Sequence, residues 1–178
     1  MVTKTKAVFL DRDGVIARPY IKKGKSISAR KYKEFKLLPK VKEAIVKLKK
    51  NNFIIIVITN QPDISKGLLK LSEVKKMHQK LFANTLIDDI FLCPHDEINN
   101  CKCRKPKPGL LIKAIKKYNI DIAKSYLIGD RLKDIEAAEN INLKSLFIKR
   151  NYHEPQPSKQ LRTFHSLNMS VKYILYEL

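Results

Sequence analysis

Five short, almost wholly apolar runs alternate along this chain with segments of helical periodicity, and few architectures accommodate that pattern. The runs are Ala7–Asp11, Phe53–Thr59, Ile90–Cys93, Tyr126–Asp130 and Ser145–Ile148. Each is too apolar for a sheet with one wet face, so each reads as a strand buried on both sides. Between them, Pro39–Lys50 sets Val41, Ala44, Ile45 and Leu48 on one helical stripe, with Pro39 in the first turn. Ser72 is placed to cap a second helix striped by Val74, Met77 and Leu81. Pro108 opens a third, with Leu111, Ile112 and Ile115 turned inward, and Leu132–Asn142 forms a fourth. This alternation predicts an α/β fold, a mostly parallel sheet covered by helices on both faces. The 178 residues suit a single domain, 1–178. A domain of that size buries roughly 70% of its unfolded surface and needs no disulfides to fold.

Two stretches escape the pattern. Residues 17–38 are longer than a simple strand-to-helix loop and contain Lys22-Lys23-Gly24-Lys25. The tail from Asn151 has no period until Val171–Leu178, which is expected to dock as a last short element. The longest apolar run, Phe53–Ile58, is too short to cross a bilayer. Ala7–Leu10 leads straight into Asp11-Arg12-Asp13, unlike a signal peptide. A cytoplasmic protein with no membrane partner is the expectation. A net charge of +20 suggests an anionic partner, either nucleic acid or a phosphorylated small molecule. Alternatively the lysines only solvate helix faces. No long basic block or aromatic-interleaved stripe is present, which speaks against nucleic acid.

In an open parallel sheet, ligands bind beyond the carboxyl ends of the strands. Phe9-Leu10-Asp11-Arg12-Asp13-Gly14-Val15 puts two carboxylates at such an end. A carboxylate can attack phosphorus and form an acyl phosphate if a cation screens its approach and a second carboxyl protonates the leaving oxygen. Asp11 as nucleophile and Asp13 as acid/base meet those needs, with magnesium, a cation of carboxylate and phosphate oxygens, as the screen. A strand ending in an Asx-type turn is the other reading. Ile58-Thr59-Asn60-Gln61 offers a hydroxyl and amides for phosphate oxygens. Ile128-Gly129-Asp130-Arg131-Leu132-Lys133-Asp134 ends a strand with a carboxylate suited to a metal, or else merely starts a helix with favourable charges. Arg104-Lys105-Pro106 supplies cations for phosphoryl oxygens, or is a solvated basic pair.

Cys93-Pro94-His95 and Cys101-Lys102-Cys103 follow the pattern C-x-H-x5-C-x-C. Three thiolates and an imidazole compose a closed tetrahedral zinc site, which is structural because no position stays open. Unligated thiols beside a chance His are the alternative. Cys103 directly precedes Arg104 and Lys105, so zinc in the loop 93–103 would hold those cations toward a phosphate.

Taken in order, the Asp-x-Asp-Gly strand, the Thr strand, the Lys and the Gly-Asp-x-x-x-Asp strand resemble the haloacid dehalogenase superfamily over roughly residues 6–150. The resemblance implies a Rossmann-like three-layer domain and a magnesium-dependent phosphatase. Asp11 would be the nucleophile and Asp13 the acid/base, while Thr59 and Lys105 would stabilise the transferred phosphoryl group. Asp11, Asp130 and the backbone carbonyl of Asp13 would bind magnesium. The zinc loop, the Cys-Arg-Lys-Pro run and the small size are similar to one subgroup, the heptose bisphosphate and histidinol-phosphate phosphatases, which lack a large cap domain. In that subgroup Arg104 and Arg131 match positions near substrate, and Asn60 and Gln61 are expected there too. Thr59–Gly67 is similar to the heptose enzymes' T-N-Q-S-G-I-A-R-G, with Lys66 in place of Arg. The five-residue gap before Cys101 is more like the histidinol-phosphate type, and Ala17 and Tyr20-Ile21 depart from the heptose pattern in the loop 17–38, where the substrate should be read. The favoured expectation is a monomer that removes the 7-phosphate of D-glycero-D-manno-heptose 1,7-bisphosphate. Histidinol phosphate and a nucleic-acid 3′-phosphate are the alternatives.

Overall fold

The computed structural model describes residues 4–176, so Glu177 and Leu178 of the expected last element lie outside the described residues. In chain order the elements are β1 (Ala7–Leu10), β2 (Tyr20–Lys22), β3 (Lys25–Ile27), α1 (Val41–Lys50), β4 (Ile54–Asn60), α2 (Leu71–Asn84) and β5 (Asp89–Cys93). They continue with α3 (Gly109–Tyr118), β6 (Tyr126–Gly129), α4 (Leu132–Glu139), β7 (Lys144–Ile148), β8 (Arg162–Phe164) and α5 (Leu167–Tyr176). Six strands form one sheet in the order β5-β4-β1-β6-β7-β8, and each of its ladders is parallel. The five apolar runs therefore become the five strands expected of them, because a strand covered on both faces has no polar side to alternate with.

Side chains alternate between two cores. Val8, Leu10, Ile55, Val57, Ile128 and Leu146 face the side covered by α1, α2 and α5. Ala7, Phe9, Ile56, Ile58 and Leu127 face the side covered by α3 and α4. The result is the three-layer arrangement, with strand order running outward in opposite senses on the two sides of β1 and putting its tip near the centre of the sheet. Leu10 pairs with Val57 on one flank and Ile128 on the other, so Asp11 emerges between the ends of β4 and β6.

Several details differ from expectation. Pro39 lies two residues ahead of α1, whose cap is Lys40 in the left-handed region (φ 59°). Ser72 is inside α2, whose cap residue is Lys70. The inward face of α3 is Leu110, Leu111 and Ala114, while Ile112 is 40% exposed. Three consecutive apolar residues at 110–112 fit two helical registers, and packing on the sheet selects one. The stretch 17–38 folds into the antiparallel hairpin β2–β3, and the tail contributes β8 as the edge strand before α5. No helix among the described residues is long and apolar enough to cross a membrane.

Leu48 of α1 is fully buried between the sheet and α5. Leu48→Ala is expected to lower unfolding free energy by about 2–5 kcal/mol in a urea titration, with an unchanged m-value.

Candidate active site

The backbone N–H of Asp11 still bonds to the carbonyl of Ile128 (3.0 Å), so Asp11 is held in sheet register at the strand end. The chain then turns at Gly14, where φ is +98°. A Cβ at Gly14 would come within 1.8 Å of Asp130 Oδ2, so glycine is required for Asp130 to approach the turn. Lys105 reaches in from the segment after β5. Its Nζ, buried with the side chain only 3% exposed, donates to Asp11 Oδ1 (2.6 Å), Asp134 Oδ1 (2.6 Å) and the carbonyl of Ile58 (2.8 Å). Those three acceptors match the three protons of an ammonium group. Asp134 Oδ2 also accepts from the N–H groups of Asp130 (3.2 Å) and Arg131 (3.0 Å), pinning the start of α4.

Oxygens of Asp11, Asp130 and Asp134 lie within 4.8 Å of one another. Burial, opposed by Lys105 and assisted by Asp134 and Asp13, pushes the Asp11 carboxyl up to about 6. Burial, with Asp11 and Asp134 beside it, also holds the Asp130 carboxyl well above its ordinary range. For Lys105 burial acts downward, but Asp11 and Asp134 outweigh it and raise the ammonium. Like charges this close favour a divalent cation. Asp130 Oδ2 accepts from the Tyr152 hydroxyl (2.6 Å), while its Oδ1 is buried without a donor among the described residues. An all-oxygen donor set with one unsatisfied carboxylate oxygen fits a hard divalent ion.

Asp13 is held very differently. Its Oδ2 accepts from Arg12 Nε (3.0 Å) and Nη2 (2.9 Å), Ser28 Oγ (2.9 Å) and Gln61 Nε2 (2.8 Å). Its Oδ1 is buried with no partner among the described residues. Gln61 Nε2 also donates to Thr59 Oγ1 (2.8 Å), so that amide orients two side chains lining the cavity. Asn60 clamps the backbone of Lys105 from both sides, with Nδ2 to its carbonyl (3.1 Å) and Oδ1 from its N–H (3.2 Å). Beneath Arg12, burial and the neighbouring guanidinium, opposed by Asp13, push the His78 imidazole down to about 4.

The cavity over Asp11 is walled by Ser26, Ile27 and Ser28 of the hairpin side, by Asn60–Asp63, and by Arg131 and Lys133. It opens into a wider cleft that adds Lys66 and Arg104. Arg131 forks onto Glu154 through two bonds of 2.8 Å. Lys133 is pushed down by burial, then by Arg131 and Arg104, so cations crowd this mouth. Beside it, Cys93, His95, Cys101 and Cys103 converge, with Sγ···Sγ separations of 3.2, 3.3 and 3.6 Å and His95 Nδ1 3.3 Å from Cys103. Zinc bonded to thiolate at about 2.3 Å implies sulfur separations of about 3.8 Å, so a small widening of the cage suffices. Arg104 Nη1 donates to the carbonyl of His95 (3.2 Å), tying the cation to this loop.

Of the residues singled out in the sequence, Asp11, Asp13, Thr59, Asn60, Gln61, Lys105 and Arg131 line the cavity and Arg104 the wider cleft, while Asp130 lies beside Asp11 and the Cys-His cluster behind Arg104. The sequence reasoning missed Arg12, Ser28, His78, Tyr152 and Glu154. Arg12 sat inside the Asp-x-Asp motif and could have been found there. Ser28, Tyr152 and Glu154 come from remote, aperiodic segments, and His78 lies on the periodic helix α2 but with nothing local to tie it to the site.

A hydrolase built on a Rossmann-like parallel sheet with an aspartate cluster at the strand ends is the class this site defines, and the comparisons with known proteins agree. Residues 27–142 match the model of the haloacid dehalogenase-like hydrolases, and the chain belongs to that family as a phosphatase. The matched stretch begins after Asp11 and Asp13. The chain is 36% identical over 152 residues to the D-glycero-alpha-D-manno-heptose-1,7-bisphosphate 7-phosphatase of Campylobacter jejuni, covering 82% of this chain and 83% of that one. It is 35% identical over 153 residues to the D-glycero-beta-D-manno-heptose-1,7-bisphosphate 7-phosphatase of Helicobacter pylori, with the same coverage. The crystal structure of D,D-heptose 1,7-bisphosphate phosphatase from B. bronchiseptica, complexed with magnesium and phosphate, superposes with a TM-score of 0.83 at 26% identity. That match covers 98% of this chain and 100% of the other.

With a folded-state value near 6 and an ordinary value of 3.8, Asp11 binds its proton more tightly in the native state. Stability from this source is lost as pH rises between about 4 and 6. In chelator-treated protein, Asp11→Asn should gain melting temperature relative to wild type across that window, measured by thermal denaturation. A constant difference would contradict the assigned burial.

Proposed function

We propose that this enzyme removes the 7-phosphate of D-glycero-D-manno-heptose 1,7-bisphosphate in the cytoplasm, through a phosphoryl group carried on Asp11. The observation that supports the reading most is one cavity flanked by two contrasting carboxylates. Asp11 is tethered by Lys105 at the strand tip, and Asp13 leaves a single oxygen unsatisfied. The names of the heptose bisphosphate relatives supply the substrate.

In this reading a carboxylate oxygen of Asp11 attacks phosphorus as the ester P–O bond breaks, and Asp13 gives its proton to the leaving sugar oxygen. Asp13 then takes a proton from water, whose oxygen attacks phosphorus. The bond to Asp11 breaks and inorganic phosphate leaves. Lys105 and the Thr59 hydroxyl stabilise the phosphoryl oxygens, and Asn60 fixes Lys105 for that task. Asp11, Asp130 and the backbone carbonyl of Asp13 would hold magnesium, which would supply positive charge between the carboxylates and a phosphate. The non-reacting phosphate lies toward Arg104, Arg131 and Lys133 at the mouth. Zinc on Cys93, His95, Cys101 and Cys103 keeps Arg104 and Lys105 in place.

Turnover should be compared on both anomers of the heptose bisphosphate, on histidinol phosphate and on a 3′-phosphorylated oligonucleotide. A heptose bisphosphate is expected to be preferred by at least about tenfold in kcat/KM, and preference for either other substrate overturns the assignment. Asp11→Asn should lower phosphate release by more than about a thousandfold while keeping a cooperative melt.

Metal analysis should find one zinc per chain. Cys101→Ala is expected to lose zinc and to melt at lower temperature. Zinc-free wild type of unchanged stability and activity would rule out the structural role.

A further inference from the structure

Arg12 lies between the two aspartates of the opening motif, yet its side chain is fully buried. The Nε and Nη2 groups both donate to Oδ2 of the adjacent Asp13, and Nη1 lies 3.3 Å from His78 Nε2 on α2. The guanidinium carbon sits 5.4 Å from the centre of the Phe35 ring. Successive residues of a strand point to opposite faces. Here β1 has already ended, and the turn at Gly14 lets neighbouring side chains converge. Because a guanidinium only donates, Nε2 of His78 must be the acceptor, which makes the ring neutral with its proton on Nδ1.

Four donors therefore meet on one oxygen of Asp13, two from Arg12 and one each from Ser28 and Gln61, while the other oxygen has none among the described residues. A proton cannot reside on an oxygen that already accepts four hydrogen bonds as readily as on one that accepts none. We propose that Arg12, backed by His78, is the positioning residue that fixes Asp13 with Oδ2 masked and Oδ1 as the oxygen that gives and takes the proton. The inference rests on the acid/base role of Asp13 given above. Lysine cannot replace this arrangement, since a point ammonium lacks the planar fork that spans Asp13 and His78 together.

The test uses leaving groups of different basicity. A sugar alkoxide needs a proton to depart, whereas p-nitrophenolate does not. Arg12→Lys is expected to lower kcat on heptose bisphosphate by about a hundredfold, the usual share of general acid–base catalysis. On p-nitrophenyl phosphate the same variant should release a first equivalent of nitrophenolate at nearly the wild-type rate. Slow steady turnover should follow, because water activation still needs Asp13. His78→Gln keeps an acceptor and should stay near wild type, and His78→Phe should shift in the direction of Arg12→Lys by a smaller factor. Melting curves accompany each variant, and the His78 pair carries the test if Arg12→Lys does not fold. Equal losses on both substrates from the first turnover, or none on either, would overturn the positioning role. Asp13→Asn is the control. If it shows no leaving-group dependence, the acid/base reading fails with it. If Asp13→Asn shows that dependence and Arg12→Lys does not, only the inference about Arg12 fails.

Discussion

Three carboxylates share a dry space at the end of the central strand, and a single ammonium group holds them together. Asp11, Asp130 and Asp134 offer oxygens within 4.8 Å of each other, and Lys105 bonds to two of the three residues. Breaking a buried ion pair by removing one partner costs about 3–5 kcal/mol, so this cluster is a liability unless the surrounding chain compels it. Much of the architecture can be read as that compulsion. Gly14 gives Asp130 room, Asp134 is fixed by the backbone N–H groups just ahead of α4, and Asn60 grips Lys105 on both sides of its backbone. The strain of like charges is the kind that functional sites retain and that a divalent cation relieves.

The fold was legible wherever burial was complete. Strands covered on both faces carry uninterrupted apolar runs, and these appeared at 7–11, 53–59, 90–93, 126–130 and 145–148 within a residue or two of the observed bounds. Legibility failed where polarity is mixed. Hairpin β2–β3 is short and largely exposed, and β8 lies at the sheet edge, so neither carries a periodic signal. Helix starts were misread at Ser72 and Pro39 because cap preference is a weak prior that packing overrides.

Around the site, residues on strand ends were readable because parallel topology says where to look. The supporting side chains were not. Tyr152 and Glu154 come from an aperiodic crossover between β7 and β8, and only folding brings them to Asp130 and Arg131. Asn60 and Gln61 were expected beside substrate, and their amides turn out to orient Lys105, Thr59 and Asp13. The cysteine-histidine loop was readable from spacing alone, and its consequence for Arg104 follows from the bond to the His95 carbonyl.

The most direct test asks where phosphate resides in mid-reaction. Enzyme quenched during turnover and reduced with borohydride converts an aspartyl phosphate to homoserine, which peptide mass spectrometry can locate. The account predicts homoserine at position 11 alone. Homoserine at 13, 130 or 134, or active enzyme with no modified aspartate at all, would contradict it.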